Sequence, residues 1–390
     1  MKYDFDKIVV RKNTDCFKWD FAERIFKNTD ALPMWVADMD FEAPPEVVSA
    51  IKKRAEHGVY GYALTPESYY ESFISWIKKR HGFELKRDWL LFSPGIVPAL
   101  SMSVMAYTAP GDKILIQTPV YNPFFTVVKD NGREVIENTL VLENGKYVID
   151  FDDFENKIKT GVKMFILCNP HNPVGRVWQR EELRKMAEIC LKYKVIIVSD
   201  EIHSDVIYSG HKHVSIASLS DEALQNTVTL MAPSKTFNIT GLAISSAVIA
   251  NPALYAKFKK ISESLHISNP AVFGVTAFEA AYRHGEKWLG ELLKYLESNR
   301  DFMNDFIKSN LPQVKMVVPE GTFLAWLDFR RLKLSQKELN DLMVFKARLG
   351  LNDGEGFGAS GRGFMRINFG CPRATLSEGL NRLETAFKIV

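Results

Sequence analysis

The chain has 390 residues, 46% of them hydrophobic and 25% charged, with a formal net charge of +3. That length allows a large core and more than one domain, and the near-neutral balance gives no reason to expect nucleic acid or an acidic membrane as partner. The longest aliphatic run, Val195-Ile196-Ile197-Val198, is far shorter than the ~20 apolar residues of a spanning helix, and residues 1–12 lack the apolar stretch of a secretory signal.

In chain order, Ser93-Pro94-Gly95-Ile96-Val97-Pro98-Ala99 leads into a helical stretch at 100–107. A glycine before a helix start can offer backbone N–H groups to a phosphate, and Pro98 suits a first helical turn. Runs rich in Val, Ile and Leu at 113–117, 163–168, 195–199, 227–231 and 243–250 read as buried strands, and 179–193 as an amphipathic helix between two of them. Strands alternating with helices predict a mostly parallel α/β sheet flanked by helices, with ligands at the carboxyl ends of the strands. A long helix is expected near 251–286, kinked or split by Pro270. Residues 284–310 and 334–350 look helical, and 315–319, 323–329 and 364–369 look like strands. Residues 46–285 are accordingly assigned to a large domain, and 1–45 together with 286–390 to a smaller α+β domain. No linker, low-complexity run or internal repeat marks the boundary.

Cys16, Cys168, Cys190 and Cys371 form no C-x-x-C pair, so neither a zinc site nor a disulfide frame is expected. Cys168 and Cys190 read as buried thiols, and a reducing, cytoplasmic setting fits. Gly356-Phe357-Gly358-Ala359-Ser360-Gly361 matches G-x-G-x-x-G, but a strand-like segment follows it where a dinucleotide site needs a helix. A mobile loop is the better reading. His211 and His213 invite a metal, yet an exposed turn after Ser209-Gly210 accounts for them.

Polar groups follow several of the strands. Asp200, in Ser199-Asp200-Glu201-Ile202-His203, comes straight after the aliphatic run, so its carboxylate stands at a strand's carboxyl end. It reads either as a cap or surface acid or as a buried acid that keeps a ring nitrogen protonated. Lys235, in Ala232-Pro233-Ser234-Lys235-Thr236-Phe237-Asn238, sits among small and apolar residues. Desolvation there would lower its pKa and make it a nucleophile and base, although a structural lysine is not excluded by this segment alone. Two Asn-Pro units in Asn169-Pro170-His171-Asn172-Pro173-Val174-Gly175 force a non-helical turn. Such a turn either simply links strand to helix or holds the Asn172 amide towards a ligand.

These segments, in this order, resemble the fold-type I pyridoxal-phosphate enzymes of the class I/II aminotransferase superfamily. The resemblance covers nearly the whole chain. Pro33-Met34-Trp35-Val36-Ala37-Asp38-Met39-Asp40-Phe41, Gly58-Val59-Tyr60-Gly61-Tyr62, Ser234-Lys235-Thr236-Phe237-Asn238 and Arg366-Ile367-Asn368 resemble its cystathionine β-lyase, or C–S lyase, branch. The resemblance implies that Lys235 joins the cofactor aldehyde and later moves the Cα proton, that Asp200 pairs with the pyridine nitrogen, and that Asn172 meets the phenolic oxygen. It implies that Tyr121 stacks on the ring, and that Gly95, Ile96, Val97 and Ser234 lie at the phosphate. Tyr62 would reach the partner subunit's site in a homodimer, with Tyr60 beside it. Arg366 would bind the substrate α-carboxylate, for which a guanidinium fork is suited, and Trp35 and Asn172 would flank it. Read on their own, Tyr121 is also a core or turn tyrosine and Arg366 a surface arginine on a strand. Where many aminotransferases have a serine and an arginine at the phosphate, this chain has Ala232 and Ala243; where they have a tyrosine after the aspartate, it has His203. His203 could bond near the ring or be a core histidine.

The expected activity is α,β-elimination from cystathionine, cysteine or related S-substituted cysteines, giving pyruvate, ammonia and a thiol. Transamination uses the same residues and is the alternative; the missing arginine at 243 weighs mildly against it. A third reading is a regulatory binding protein on the same fold, with a transcription factor as partner. A full set of cofactor residues argues against that as the sole role.

Overall fold

The computed structural model describes residues 3–388. Strands β1 (Leu90–Ser93), β2 (Lys113–Thr118), β3 (Glu134–Thr139), β4 (Val162–Cys168), β5 (Ile196–Asp200), β6 (Thr227–Met231) and β7 (Ser245–Val248) build the main sheet. Their order is β1-β7-β6-β5-β4-β2-β3. All neighbours are parallel except β7, which runs antiparallel to both β1 and β6. The central strands are buried along almost their whole length. That is why they read as continuous apolar runs: helices cover both faces of a parallel sheet. The expected strands are all present, with ends shifted by a residue or two.

The helices that bear on the site are α1 (Pro45–Glu56), α2 (Glu67–His81), α3 (Ile96–Tyr107), α4 (Arg180–Lys192), α5 (Pro252–Ser264) and α6 (Val272–His284). In α4, Leu183, Met186, Ala187 and Cys190 fall on one buried face, the spacing of an amphipathic helix. A Gln179–Glu182 capping box starts it. Pro270 lies in the break between α5 and α6, so the expected long helix is two helices.

A second sheet of β8 (Lys315–Val317), β9 (Leu324–Asp328), β10 (Asn352–Asp353) and β11 (Phe364–Asn368) is antiparallel throughout, in the order β8-β9-β11-β10. It packs with α7 (Glu286–Asn310) and α8 (Arg373–Phe387). The helix expected over 334–350 is shorter. It runs through Gln336–Asp341, continues as a π-helical turn over Leu342–Lys346, and gives way to a strand at Leu349–Gly350 that pairs with Leu32–Pro33. Arg348 takes a left-handed φ of 52° there, which no helix continues.

The glycine-rich segment expected to be a mobile loop is instead packed into two 3₁₀ turns, Gly354–Phe357 and Ala359–Gly361. A Cβ on Gly361 would lie 2.0 Å from the Gly354 carbonyl oxygen, and one on Gly354 2.1 Å from that of Gly361. These glycines permit two backbones to touch. The carbonyl of Phe357 accepts from Val120 N at 2.9 Å, and its ring lies 5.0 Å from the Arg366 guanidinium. His213 is a further correction. It is buried, not on an exposed turn, and its Nε2 lies 2.9 Å from the Glu201 carboxylate. His211 is exposed, as expected. No cluster able to hold a metal occurs among the described residues. Cys168, Cys190 and Cys371 are buried thiols.

Candidate active site

The register of the sheet aligns three loops. Cys168 pairs with Asp200, and Asp200 with Leu230, so β4, β5 and β6 end side by side. The Asn169–Asn172 turn, the Asp200–His203 segment and the Lys235 loop therefore leave one edge together, the place where α/β sheets hold ligands. They close round a cavity of about 220 Å³. Gly95, Ile96, Val97, Tyr121, Asn172, Asp200, His203, Ser234 and Lys235 all line it, as do Ala37, Cys168, Thr240 and Ala243.

The Lys235 amine donates to the Ala37 carbonyl oxygen at 2.6 Å. Burial pulls its pKa down to about 8. Burial pushes the Asp200 carboxyl up to about 7, and its only side-chain hydrogen bond among the described residues comes from Ile202 N, at 3.1 Å. An amine and an acid shifted towards each other in one cavity can both exchange protons near neutrality. His203 is buried, and burial, reinforced by the positive charges of Lys235 and Arg366, lowers it to about 3. It is a neutral imidazole whose Nδ1 has no hydrogen-bond partner.

Arg366 is buried behind this wall on β11, and burial lowers its pKa to about 10. It donates to Asn172 Oδ1 at 3.0 Å, the Trp35 carbonyl at 2.8 Å and Asn352 Oδ1 at 2.6 Å, while its Nε has no partner. The Trp35 side chain does not face the cavity. Its ring packs against Phe17 and Phe26, and its Nε1 donates to the Lys18 carbonyl at 3.0 Å. Only the backbone of Trp35 meets Arg366. Tyr60 and Tyr62 lie elsewhere. Tyr62 is fully exposed at the edge of a groove of about 900 Å³ beside α1 and α6. The Tyr60 hydroxyl donates to the Ala55 carbonyl at 2.6 Å, and its ring packs on Phe273.

Sequence reasoning did not assign Ala37, Cys168, Thr240 or Asn352 to the site. Ala37 acts through a backbone oxygen, which leaves no side-chain signature. Cys168 was legible as a strand end, and its thiol accepts from Asn172 N at 3.4 Å. Asn352 is placed by the second sheet, where it pairs with Arg366.

A parallel sheet with an amine, a carboxylate and a helix start around one cavity at its carboxyl edge is the architecture of a fold-type I pyridoxal-phosphate protein. The chain belongs to the aminotransferase class I and II family, whose model matches residues 30–383. It is 46% identical to the cystathionine β-lyase PatB of Bacillus subtilis (strain 168), over 98% of this chain and 99% of that one. Cystalysin from Treponema denticola, whose crystal structure contains pyridoxal 5′-phosphate, matches at 38% identity with a TM-score of 0.97, over 100% of both chains. The PLP-bound C–S lyase of Staphylococcus hominis matches at 35% identity with a TM-score of 0.91, over 98% of each chain.

The residues here fit that cofactor. The first N–H groups of α3, at Ile96 and Val97, have no intrahelical acceptor and point a positive helix end at the cavity, where Gly95 and Ser234 stand beside them. The Asp200 carboxylate and the unpartnered His203 Nδ1 are buried polar demands that a heterocycle bearing an N–H can meet. The Lys235 amine faces the same space.

Proposed function

We propose that this chain is a pyridoxal-phosphate-dependent carbon–sulfur β-lyase acting on L-cystathionine, cysteine or related S-substituted cysteines. The observation that carries the reading is the pairing of Lys235 and Asp200 in one buried cavity, the amine shifted down and the acid shifted up. Likeness to a cystathionine β-lyase and a C–S lyase supports the choice of reaction.

Ile96 and Val97 N–H groups, with Gly95 and Ser234, would hold the phosphate; Tyr121 would lie on the ring and Asn172 at its phenolic oxygen. Lys235 would anchor the aldehyde. When bound, the cofactor supplies an electron sink for negative charge at the substrate Cα. Asp200 keeps the ring nitrogen protonated by offering a buried anion. Arg366 receives the α-carboxylate in its fork, with Asn172 beside it and the Trp35 carbonyl fixing its far edge. Once the substrate's own amine has displaced it from the aldehyde, the freed Lys235 amine, lowered towards neutrality by burial, would take the Cα proton onto Nζ. The Cβ–S bond then breaks, the thiolate leaves and is protonated, and the released enamine takes up water to give pyruvate and ammonia.

Ala243 lines the cavity without a charge, which favours the lyase over an aminotransferase that would hold the phosphate with an arginine there. We read residues 46–285 as the cofactor-holding domain, and 1–45 with 286–390 as the small domain. We read the assembly as a homodimer in which the exposed Tyr62, with Tyr60 nearby, reaches the partner's site. No helix is long and apolar enough to cross a membrane among the described residues, and with four free thiols we place the protein in the cytoplasm. The regulatory-partner reading draws on no feature of the site. Purified protein mixed with pyridoxal phosphate should show a visible absorption band and release pyruvate from L-cystathionine with no keto-acid acceptor. Product formation that requires such an acceptor would assign it to transamination instead.

A further inference from the structure

The stretch 35–41 passes between the two halves of the site, and most of its carbonyls accept side-chain hydrogen bonds. The Trp35 carbonyl accepts from Arg366 at 2.8 Å and the Ala37 carbonyl from Lys235 at 2.6 Å. Four more, at Val36, Asp38, Met39 and Phe41, accept from two asparagines. Asn368 Nδ2 donates to Val36 O and Asp38 O, both at 2.6 Å. Its own N–H donates to Met34 O at 2.9 Å, and its Oδ1 accepts from Gly370 N at 2.8 Å. Asn238 Nδ2 donates to Met39 O at 2.9 Å and Phe41 O at 2.7 Å, while its Oδ1 accepts from Met39 N at 2.9 Å.

Each asparagine sits next to a functional residue in sequence. Asn238 follows Lys235 by three positions on the main-sheet side, and Asn368 follows Arg366 by two on the second sheet. Asn238 has a left-handed φ of 55°, a conformation that Asn tolerates better than most residues, and this turns its amide back onto the strap. Arg11 pairs with Asp38 and Asp40 at 2.6 Å each and also donates to Met39 O at 3.2 Å, and buried Lys18 pairs with Asp40 at 2.7 Å. The strap is thus held through both its carbonyls and its acidic side chains. Ala37, which receives the amine, lies between the two carbonyls that Asn368 holds.

We propose that Asn238 and Asn368 are positioning residues which, through the one strap they both grip, set the places of the Lys235 amine and the Arg366 guanidinium relative to each other. The strap is a spacer between the atom that moves a proton at Cα and the group that fixes the α-carboxylate. Its register then decides how well an α-amino acid presents its Cα hydrogen to Nζ. This rests on the cofactor reading of the cavity.

The test uses the loaded enzyme and the variants Asn238→Gly, Asn368→Ala and both together. Glycine accepts the left-handed φ at 238, so Asn238→Gly reports the loss of the amide and not of the turn. The readouts are the pH midpoint of the visible band of bound pyridoxal phosphate, KM and kcat for L-cystathionine, and the melting temperature. Each single variant is expected to move the midpoint by about half a unit or more and to raise KM about tenfold. The double variant should do no more than the stronger single one, because both act through the same strap. Variants that merely melt earlier, with midpoint and KM unchanged, overturn the proposal, as do additive shifts in the double variant. Should Asn368→Ala not fold, Asn238→Gly alone decides, since it must still move both readouts. If the parent protein binds the cofactor but cleaves no cystathionine, the activity assignment fails. The midpoint and the affinity for a non-cleaved amino acid such as glycine then still read the strap.

Discussion

Asp200 and Asp205 are five positions apart in one segment, both buried, and they are opposite in kind. Asp205 is surrounded by donors: Trp76 Nε1 at 3.1 Å, Thr236 Oγ1 at 2.9 Å, His81 Nε2 at 3.0 Å and an ion pair with Arg80 at 2.9 Å. Burial works against its ionisation, but the hydrogen bond and charge of His81, with Arg80, outweigh burial and hold it below the usual carboxylate range. Asp200 has one backbone donor and is pushed up to about 7. A buried charge that the fold has satisfied serves the fold; one left nearly bare at a cavity wall awaits something from outside. Glu201 belongs with Asp205, since Ser199, Ser215 and His213 all contact its carboxylate at 2.9 Å. His213 in turn packs edge-on against His81, with ring centroids 5.2 Å apart. The two regions lie in one segment, yet one is an assembled network and the other a sparsely partnered acid on the wall of the cavity that fits the cofactor.

The largest effect expected separates the cavity side from everything else. Lys235→Ala should lower the rate of pyruvate release from L-cystathionine by roughly 10⁴-fold or more and abolish the visible band, with the melting temperature of the cofactor-free protein little changed. A variant that keeps both rate and band would show that the amine is not the reactive group.

Next come the two aspartates, exchanged for their neutral isosteres. Asp200→Asn should cost roughly 10³-fold in kcat and leave the fold intact. Asp205→Asn should do the reverse, costing about 3 kcal/mol of unfolding free energy because it breaks a buried charge network, while folded molecules keep most of their kcat. Urea melts and steady-state rates measured on both proteins decide. Equal effects on stability and rate in the two variants would erase the distinction between the regions.

Much of this was legible because strand ends were legible. The aliphatic run before Asp200 and the apolar setting of Lys235 located the two central groups, and the positions of β4 to β6 followed from runs that only a doubly covered sheet needs. The partners of His213 were not legible. Glu201 lies twelve positions before it and His81 comes from α2, so only the folded chain could show that the histidine is interior. The carbonyls of Trp35 and Ala37 were invisible for another reason: backbone groups carry no residue code. The glycines at 354 and 361 were read as freedom when their use is contact.

The pH dependence of stability in cofactor-free protein offers a finer cut. The folded pKa of Asp200, about 7, lies above its ordinary value of 3.8. Its contribution is therefore fully present below pH ~4 and is lost as pH rises through 7. Asp205 has a depressed folded pKa, so its contribution is present above the ordinary carboxylate range and is lost only as pH falls below it. Between pH 4 and 7, then, Asp200→Asn should remove a decline in stability with rising pH, and Asp205→Asn should not. Denaturant midpoints taken across that interval check this; identical slopes in the parent and in Asp200→Asn would mean that the carboxyl is not held protonated by burial.

The smallest effect concerns a residue that stands between the two regions. Thr236 follows Lys235 and donates its hydroxyl to Asp205 Oδ2. Thr236→Val keeps the shape but removes the donor, leaving a buried anion short of one partner. A hydrogen bond to a charged group contributes about 2 kcal/mol, and that is the loss of stability expected. Thr236→Ser restores the hydroxyl and should recover most of it. The rate is the discriminating quantity. If the network behind the site only supports the fold, kcat per folded molecule should change less than about threefold in Thr236→Val, since the chemistry needs the amine and not its neighbour's hydroxyl. A far larger loss, rescued by serine, would mean that Asp205 reaches the reacting amine through Thr236. The boundary between satisfied network and prepared cavity would then have to be moved one residue towards the interior.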